Sequence, residues 1–184
     1  RKLRARLDQE KTVGIMLPPT VAGALVNIGI SILNKVPVNI NYTSSKESIA
    51  SVVKQCAMQY VITSKVFLEK TGIELTCEKI FVEDVIAAIS KKERFKAGMA
   101  AFVFPGVLSR RLVFGPKACR EHEKLATVMF TSGSTGDPKG VMLTDGNITS
   151  DLEGLYQVFN IKNDDVMLGV LPFFHSFGFT GTLW

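Results

Sequence analysis

A chain of 184 residues with 46% apolar and 21% charged residues is long and apolar enough to bury a real core, which excludes an intrinsically disordered protein. Its three cysteines, Cys56, Cys77 and Cys119, lie far apart and outside any Cys-x-x-Cys or Cys/His pattern, which excludes a disulfide framework and a zinc module and fits a reducing, cytoplasmic setting. The net charge of +5 is uneven: residues 91–120 carry eight basic residues against the single acid Glu93, a net of +7, and the rest of the chain is −2.

Arg1 to Glu10 has a charged, helical look and begins without an initiating Met or a cap, as a segment of a longer chain would. Thr12 to Leu17 reads as a strand ending at Pro18-Pro19. Val21 to Leu33 reads as a helix apolar nearly all round and buried between layers; at about a dozen residues, interrupted by Asn27 and Ser31, it is too short to span a bilayer. Val36 to Ile40 is the next strand. Ser44-Ser45-Lys46-Glu47 is a capping-box sequence, and Ile49, Val52, Val53 and Cys56 behind it recur at i, i+3, i+4 and i+7, one apolar helical stripe. A strand at Tyr60 to Thr63, a helix from Ser64 to Thr71 stopped at Gly72, a strand at Lys79 to Val82 and a helix from Glu83 to Ser90 follow. Such alternation predicts an α/β fold, a mostly parallel sheet covered by helices on both faces.

From Lys91 to Lys124 the periodicity fails, with Pro105-Gly106 and Gly115-Pro116 as breaks, and a long connection is expected. The charge block lies here. It reads first as solvated surface, with His122 on it, and second as a docking surface for an acidic partner. Alternation resumes with a strand at Ala126 to Phe130, a glycine-rich loop, a short strand at Val141 to Leu143, a helix from about Asp145 to Phe159, a strand at Val166 to Leu171, and an aromatic segment to Trp184.

The loop Thr131-Ser132-Gly133-Ser134-Thr135-Gly136-Asp137-Pro138-Lys139-Gly140 directly follows an apolar strand. Its glycines let successive N–H groups converge on phosphate oxygens, its hydroxyls can donate to phosphate or ligate magnesium, and Lys139 adds a positive charge on a long stem. The order of Lys139 and Gly140, and the position of Pro138, exclude a Walker P-loop. A plain Gly/Ser surface turn is the alternative.

Phe130 to Gly140 resembles the phosphate loop of the adenylate-forming superfamily, which includes acyl-CoA synthetases, luciferases and peptide-synthetase adenylation domains. Leu171-Pro172-Phe173-Phe174-His175-Ser176-Phe177-Gly178-Phe179 resembles that family's next motif, a wall of the acyl pocket. A finer resemblance, carried by Val13-Gly14-Ile15-Met16-Leu17-Pro18-Pro19 and by Lys35-Val36-Pro37-Val38-Asn39-Ile40-Asn41-Tyr42-Thr43, is to the acyl-acyl carrier protein synthetase portion of bacterial bifunctional lysophospholipid acyltransferases.

The superfamily resemblance implies ATP and Mg2+, with Thr131, Ser132, Gly133, Ser134, Thr135, Gly136 and Lys139 around the phosphates and Thr131 as a magnesium ligand. His175 is the candidate catalytic residue, gating the pocket or orienting the carboxylate; a histidine packed among phenylalanines is the competing reading. It further implies a fatty acid substrate and acyl carrier protein or CoA as acceptor. No nucleic-acid partner is expected. Residues 1–184 would be part of a large N-terminal domain, with its remainder and a mobile C-terminal domain lying outside this chain. The chain alone is therefore expected to be inactive. Two alternatives stand beside this: a catalytically silent nucleotide-binding scaffold, and a module binding the cytoplasmic face of a membrane through residues 91–120.

Overall fold

The computed structural model describes residues 2–103, 123–131, 137–162 and 164–184. After a short helix α1 (Lys2–Arg6) come β1 (Thr12–Met16), α2 (Val21–Ile32), β2 (Val36–Asn39), α3 (Lys46–Gln55), β3 (Tyr60–Thr63), α4 (Lys65–Thr71), β4 (Glu78–Phe81) and α5 (Val82–Ala87). The four strands form one parallel sheet in the order β2-β1-β3-β4, as the strand-and-helix alternation predicts. Side chains alternate across it with the period of two that a pleated strand imposes. Val13, Ile15, Ile62 and Ile80 join Leu7 and Ile30 on one face, which α1, α2 and α5 cover. Val36, Val38, Ile40 and Val61 join Ile49, Val52 and Val53 of α3 on the other. Gly14 lies on this second face, where an added Cβ would come within 2.7 Å of Val61 and 2.9 Å of Met58. Both faces are thus buried and flanked by helices.

Local chemistry sets the helix ends. The Thr20 hydroxyl accepts the Gly23 N–H at the start of α2, and Ser64 accepts the Phe67 N–H at the start of α4. Gly72, at φ 64, ends α4 in the left-handed conformation that glycine adopts without cost. At α3 the cap is Ser45, which accepts from Ser48; Ser48, and not Glu47, occupies the third helical position that the expected box requires.

Three expectations are corrected. First, α2 is not buried all round: Val21 and Leu25 are 77% and 63% exposed. Its buried side carries a polar residue, Asn27, which exchanges amide hydrogen bonds with Asn39 of β2 at 3.1 and 2.8 Å and also donates to the Gly23 carbonyl. Second, the expected connection begins with a helix, α6 (Lys91–Val103), started by Ser90 and Glu93: the Ser90 N–H and hydroxyl donate to the Glu93 carboxylate, and the Glu93 N–H donates back to Ser90. Residues 104–122, which include Arg110, Arg111, Lys117, Cys119, Arg120 and His122, lie outside the described residues. Third, residues 166–171 form no strand among the described residues, and Val166 is 96% exposed; a β-rich composition makes a strand only where a neighbour supplies hydrogen bonds.

The later part holds an antiparallel pair, β5 (Leu125–Thr131) and β6 (Lys139–Thr144), then α7 (Asp145–Val158) and α8 (Ser176–Leu183). β5 lies beside β2, and the Thr127 hydroxyl donates to the Pro37 carbonyl at 2.7 Å. α7 starts at a full capping box of Thr144 and Asn147.

Candidate functional site

The glycine-rich loop is the connection between β5 and β6. The register pairs Thr131 with Lys139 and Phe130 with Gly140, so the first and last chemically useful residues of the loop face each other across the end of a ladder. Thr131 and Lys139 are exposed, and the Thr131 hydroxyl reaches the Lys139 carbonyl at 3.5 Å. No ion pair among the described residues engages Lys139. Ser132, Gly133, Ser134, Thr135 and Gly136 lie outside the described residues. Gly140 is explained by proximity: an added Cβ would lie 3.1 Å from both Phe130 and Val128, tighter than ordinary packing allows, and its backbone is not in the left-handed region.

The far shoulder of the loop touches the four-stranded sheet's own helix. The Gln55 side-chain amide at the end of α3 donates to the Pro138 carbonyl at 2.9 Å and to the Ser51 hydroxyl at 3.1 Å, and Ser51 in turn donates to the Asp137 carboxylate at 3.4 Å. These residues carry no motif and are 83 and 86 positions from their partners in the loop, so only the folded arrangement reveals them.

The second motif is a tight turn leading into α8. The His175 N–H donates to the Pro172 carbonyl at 3.0 Å, and the His175 carbonyl accepts the Phe179 N–H at 2.8 Å. Gly178 lets the helix pass over this turn, since a Cβ there would lie 2.3 Å from the Pro172 carbonyl oxygen. Phe173 and Phe174 are buried. Phe173 packs at the place where Gly23 of α2 leaves room, and Phe174 meets Tyr42 edge-on at 5.0 Å, with Tyr42 in turn edge-on to Phe67 at 5.0 Å. Burial pushes the Tyr42 phenol above its ordinary pKa.

His175 stands at the N-cap of α8 beside Phe174, ring centroids 4.9 Å apart, yet its imidazole makes no capping bond and is exposed. It is not packed in the core. Phe177 is exposed too, on an open apolar pocket of about 720 Å³ shared with Leu155, Val158, Phe159 and Leu168.

β5 is the wall common to both motifs. Val128 and Phe130 belong to the cluster that includes Tyr42 and Phe67, while Met129 belongs to the cluster of Phe173 and Phe179. The thiols of Cys56 and Cys77 are half-buried, and burial raises both pKa values, which suits packing rather than nucleophilic chemistry. Among the described residues no three or more His, Cys, Asp or Glu converge on a metal position, and no helix is long and apolar enough to cross a membrane.

The AMP-binding enzyme family profile matches residues 2–184. The chain belongs to the AMP-binding enzyme family. Over 70 residues, 37% of the chain, it is 40% identical to a long-chain-fatty-acid–CoA ligase of Bacillus subtilis, a match covering 12% of that protein. Over 98% of its length it is 27% identical to 4-coumarate-CoA ligase 1 of Narcissus pseudonarcissus, covering 32% of it. It resembles in fold the o-succinylbenzoate-CoA synthetase of Bacillus subtilis, solved with ATP and magnesium ion: TM-score 0.70, 20% identity, covering 94% of this chain and 32% of that one. The chain thus spans about a third of the length of the relatives it matches end to end.

Proposed function

We propose that this chain supplies the phosphate-holding part of an acid–thiol ligase, which activates a fatty acid with ATP and passes the acyl group to a thiol. The pairing of Thr131 with Lys139 across the loop mouth, in a member of the AMP-binding family, carries this reading. In the reaction a carboxylate attacks the α-phosphorus of ATP, pyrophosphate leaves, and the acyl-adenylate yields its acyl group to the acceptor. Negative charge spreads over phosphate oxygens in both steps, so positioning and charge stabilisation are the protein's main contributions. Lys139, with no competing ion pair among the described residues, offers its ammonium to the β- and γ-phosphates. Ser132, Gly133, Ser134, Thr135 and Gly136 supply hydroxyls and backbone N–H groups. Thr131 would hold Mg2+ by its exposed hydroxyl, since a magnesium ion carried on nucleotide phosphates needs few protein ligands.

His175, exposed at the start of α8 beside an apolar pocket, orients the substrate carboxylate or gates its entry. Long-chain substrates are favoured by the likeness to long-chain-fatty-acid–CoA ligases, and CoA as acceptor is favoured by the same names; acyl carrier protein is favoured by the sequence resemblance to acyltransferase-linked synthetases. Residues 1–184 are part of the large N-terminal domain in this reading.

Pyrophosphate exchange in the full-length enzyme, with a long-chain fatty acid and magnesium, tests it. Lys139→Ala is expected to slow exchange about a hundredfold, the scale of losing one transition-state charge contact, while leaving the fold intact. Unchanged exchange would remove Lys139 from the mechanism.

A further inference from the structure

The two sheets meet the loop differently. β5 and β6 carry it, but its last two residues before Lys139 are held by α3, a helix of the other sheet. α3 is itself firmly placed: Ser45 caps it, and Ile49, Val52 and Val53 lock it into the core of the parallel sheet. Ser51 and Gln55 are four residues apart on this helix and so lie on one stripe. That stripe faces Asp137 and Pro138. Proline has no N–H, so its carbonyl is the only backbone hydrogen-bonding group Pro138 offers, and it accepts from Gln55 at 2.9 Å. Because a carbonyl can only accept, the Gln55 amide must present its NH2 there; its second N–H goes to Ser51.

We propose that Gln55, supported by Ser51, is a positioning residue for nucleotide binding: by fixing the Pro138 carbonyl it sets the place of the adjoining Lys139 before ATP arrives. The inference rests on the reading of Lys139 as a phosphate ligand. Pre-organisation of this kind removes an ordering cost from binding, so its loss appears in affinity for ATP and not in affinity for the acid. Gln55 touches no substrate in this account; it acts through Lys139.

The test uses the full-length enzyme with Gln55→Glu, which keeps the side chain's size but replaces the donor by an acceptor facing a carbonyl, and with Gln55→Ala. Both are expected to raise the KM for ATP about fivefold, the size that one neutral hydrogen bond supports, with the KM for fatty acid unmoved. Equilibrium dialysis of ATP and magnesium without fatty acid should show the same rise in Kd. Lys54→Ala, a neighbouring exposed residue without these contacts, should change neither. A purely structural role would lower the amount of active enzyme, and hence kcat, without moving the KM. If ATP KM and Kd stay at wild-type values in both Gln55 variants, the proposal is overturned whatever happens to kcat. Lys139→Ala run in parallel separates the two ideas: an effect there with none at Gln55 removes only the positioning role, whereas no effect at Lys139 removes the underlying reading. A rise in ATP Kd at Gln55 supports the positioning role only together with an effect at Lys139; a rise at Gln55 with none at Lys139 overturns the route through Lys139.

Discussion

At Glu83 two opposing effects act on one carboxylate. Burial raises its pKa, but hydrogen bonds from the Ser64 hydroxyl and from the backbone N–H groups of Glu83, Lys65 and Val66 outweigh it and hold it below the ordinary value of 4.5. The Ser64 and Lys65 contacts, at 2.6 and 3.0 Å, place a negative charge at the N-terminus of α4, where the helix dipole and free N–H groups favour it. A depressed folded pKa means that this stabilisation is complete above pH 4.5 and is lost as pH falls through the folded value. Glu83→Gln is therefore expected to destabilise the chain by about 1 kcal/mol at pH 7, the usual worth of a helix cap, with the difference from wild type shrinking by pH 3. Urea unfolding at the two pH values measures it; an equal difference at both would mean the charge contributes nothing. Ser64 was legible in the sequence as the start of a helix, but its partner 19 residues on was not, because nothing local announces which carboxylate will reach a cap.

Elements with their own punctuation were readable, and elements defined by neighbours were not. Ser64 and Gly72 each mark a helix end by local chemistry, while the capping-box sequence puts the start of α3 one residue early, at Ser44; the alternation of strands and helices sufficed for the parallel sheet. Residues 166–171 have the composition of a strand yet no ladder among the described residues, since pairing is a property of two segments. α6 was missed for the opposite reason: its cap, Ser90 with Glu93, is local, but residues 91–99, Phe95 and Met99 among them, are all exposed, so over that stretch no buried stripe announces it. The same exposure leaves Lys91, Lys92 and Lys96 on a solvated element in line with the sequence's basic block. In the proposed reading with acyl carrier protein as acceptor, this block is the surface on which it would dock. Charge reversal at Lys92 and Lys96, together with Arg110 and Arg111, is expected to raise the KM for the carrier several-fold more than that for ATP, and added salt should narrow the gap. Equal effects on both would return the stretch to ordinary solvated surface. The candidate site divides in the same way: the loop and the Phe-rich turn were visible as motifs, whereas Tyr42 beneath Phe174 and Gln55 beneath Pro138 belong to distant segments that only folding brings near.

Across the whole molecule, apolar surface is unevenly covered. The parallel sheet is buried on both faces, while Val158, Val166, Leu168, Val170 and Phe177 are each at least 60% exposed around one open pocket. An apolar surface of this kind on one side of a folded chain favours association, since its removal from water is worth about 25 cal/mol for each Å² buried. The 184-residue chain in isolation is expected to self-associate as its concentration rises, and sedimentation velocity would detect this as a shift to larger species. Replacing Val166 and Leu168 by lysine should restore the monomer without lowering the thermal midpoint, because neither side chain belongs to the buried core. In the proposed reading the chain is part of a longer protein whose further residues cover this surface, so hydrogen exchange over residues 158–162 and 164–171 should be slow there and fast in the isolated chain. A chain that stays monomeric at high concentration, with fast exchange in both forms, would show that this surface has no partner within the enzyme.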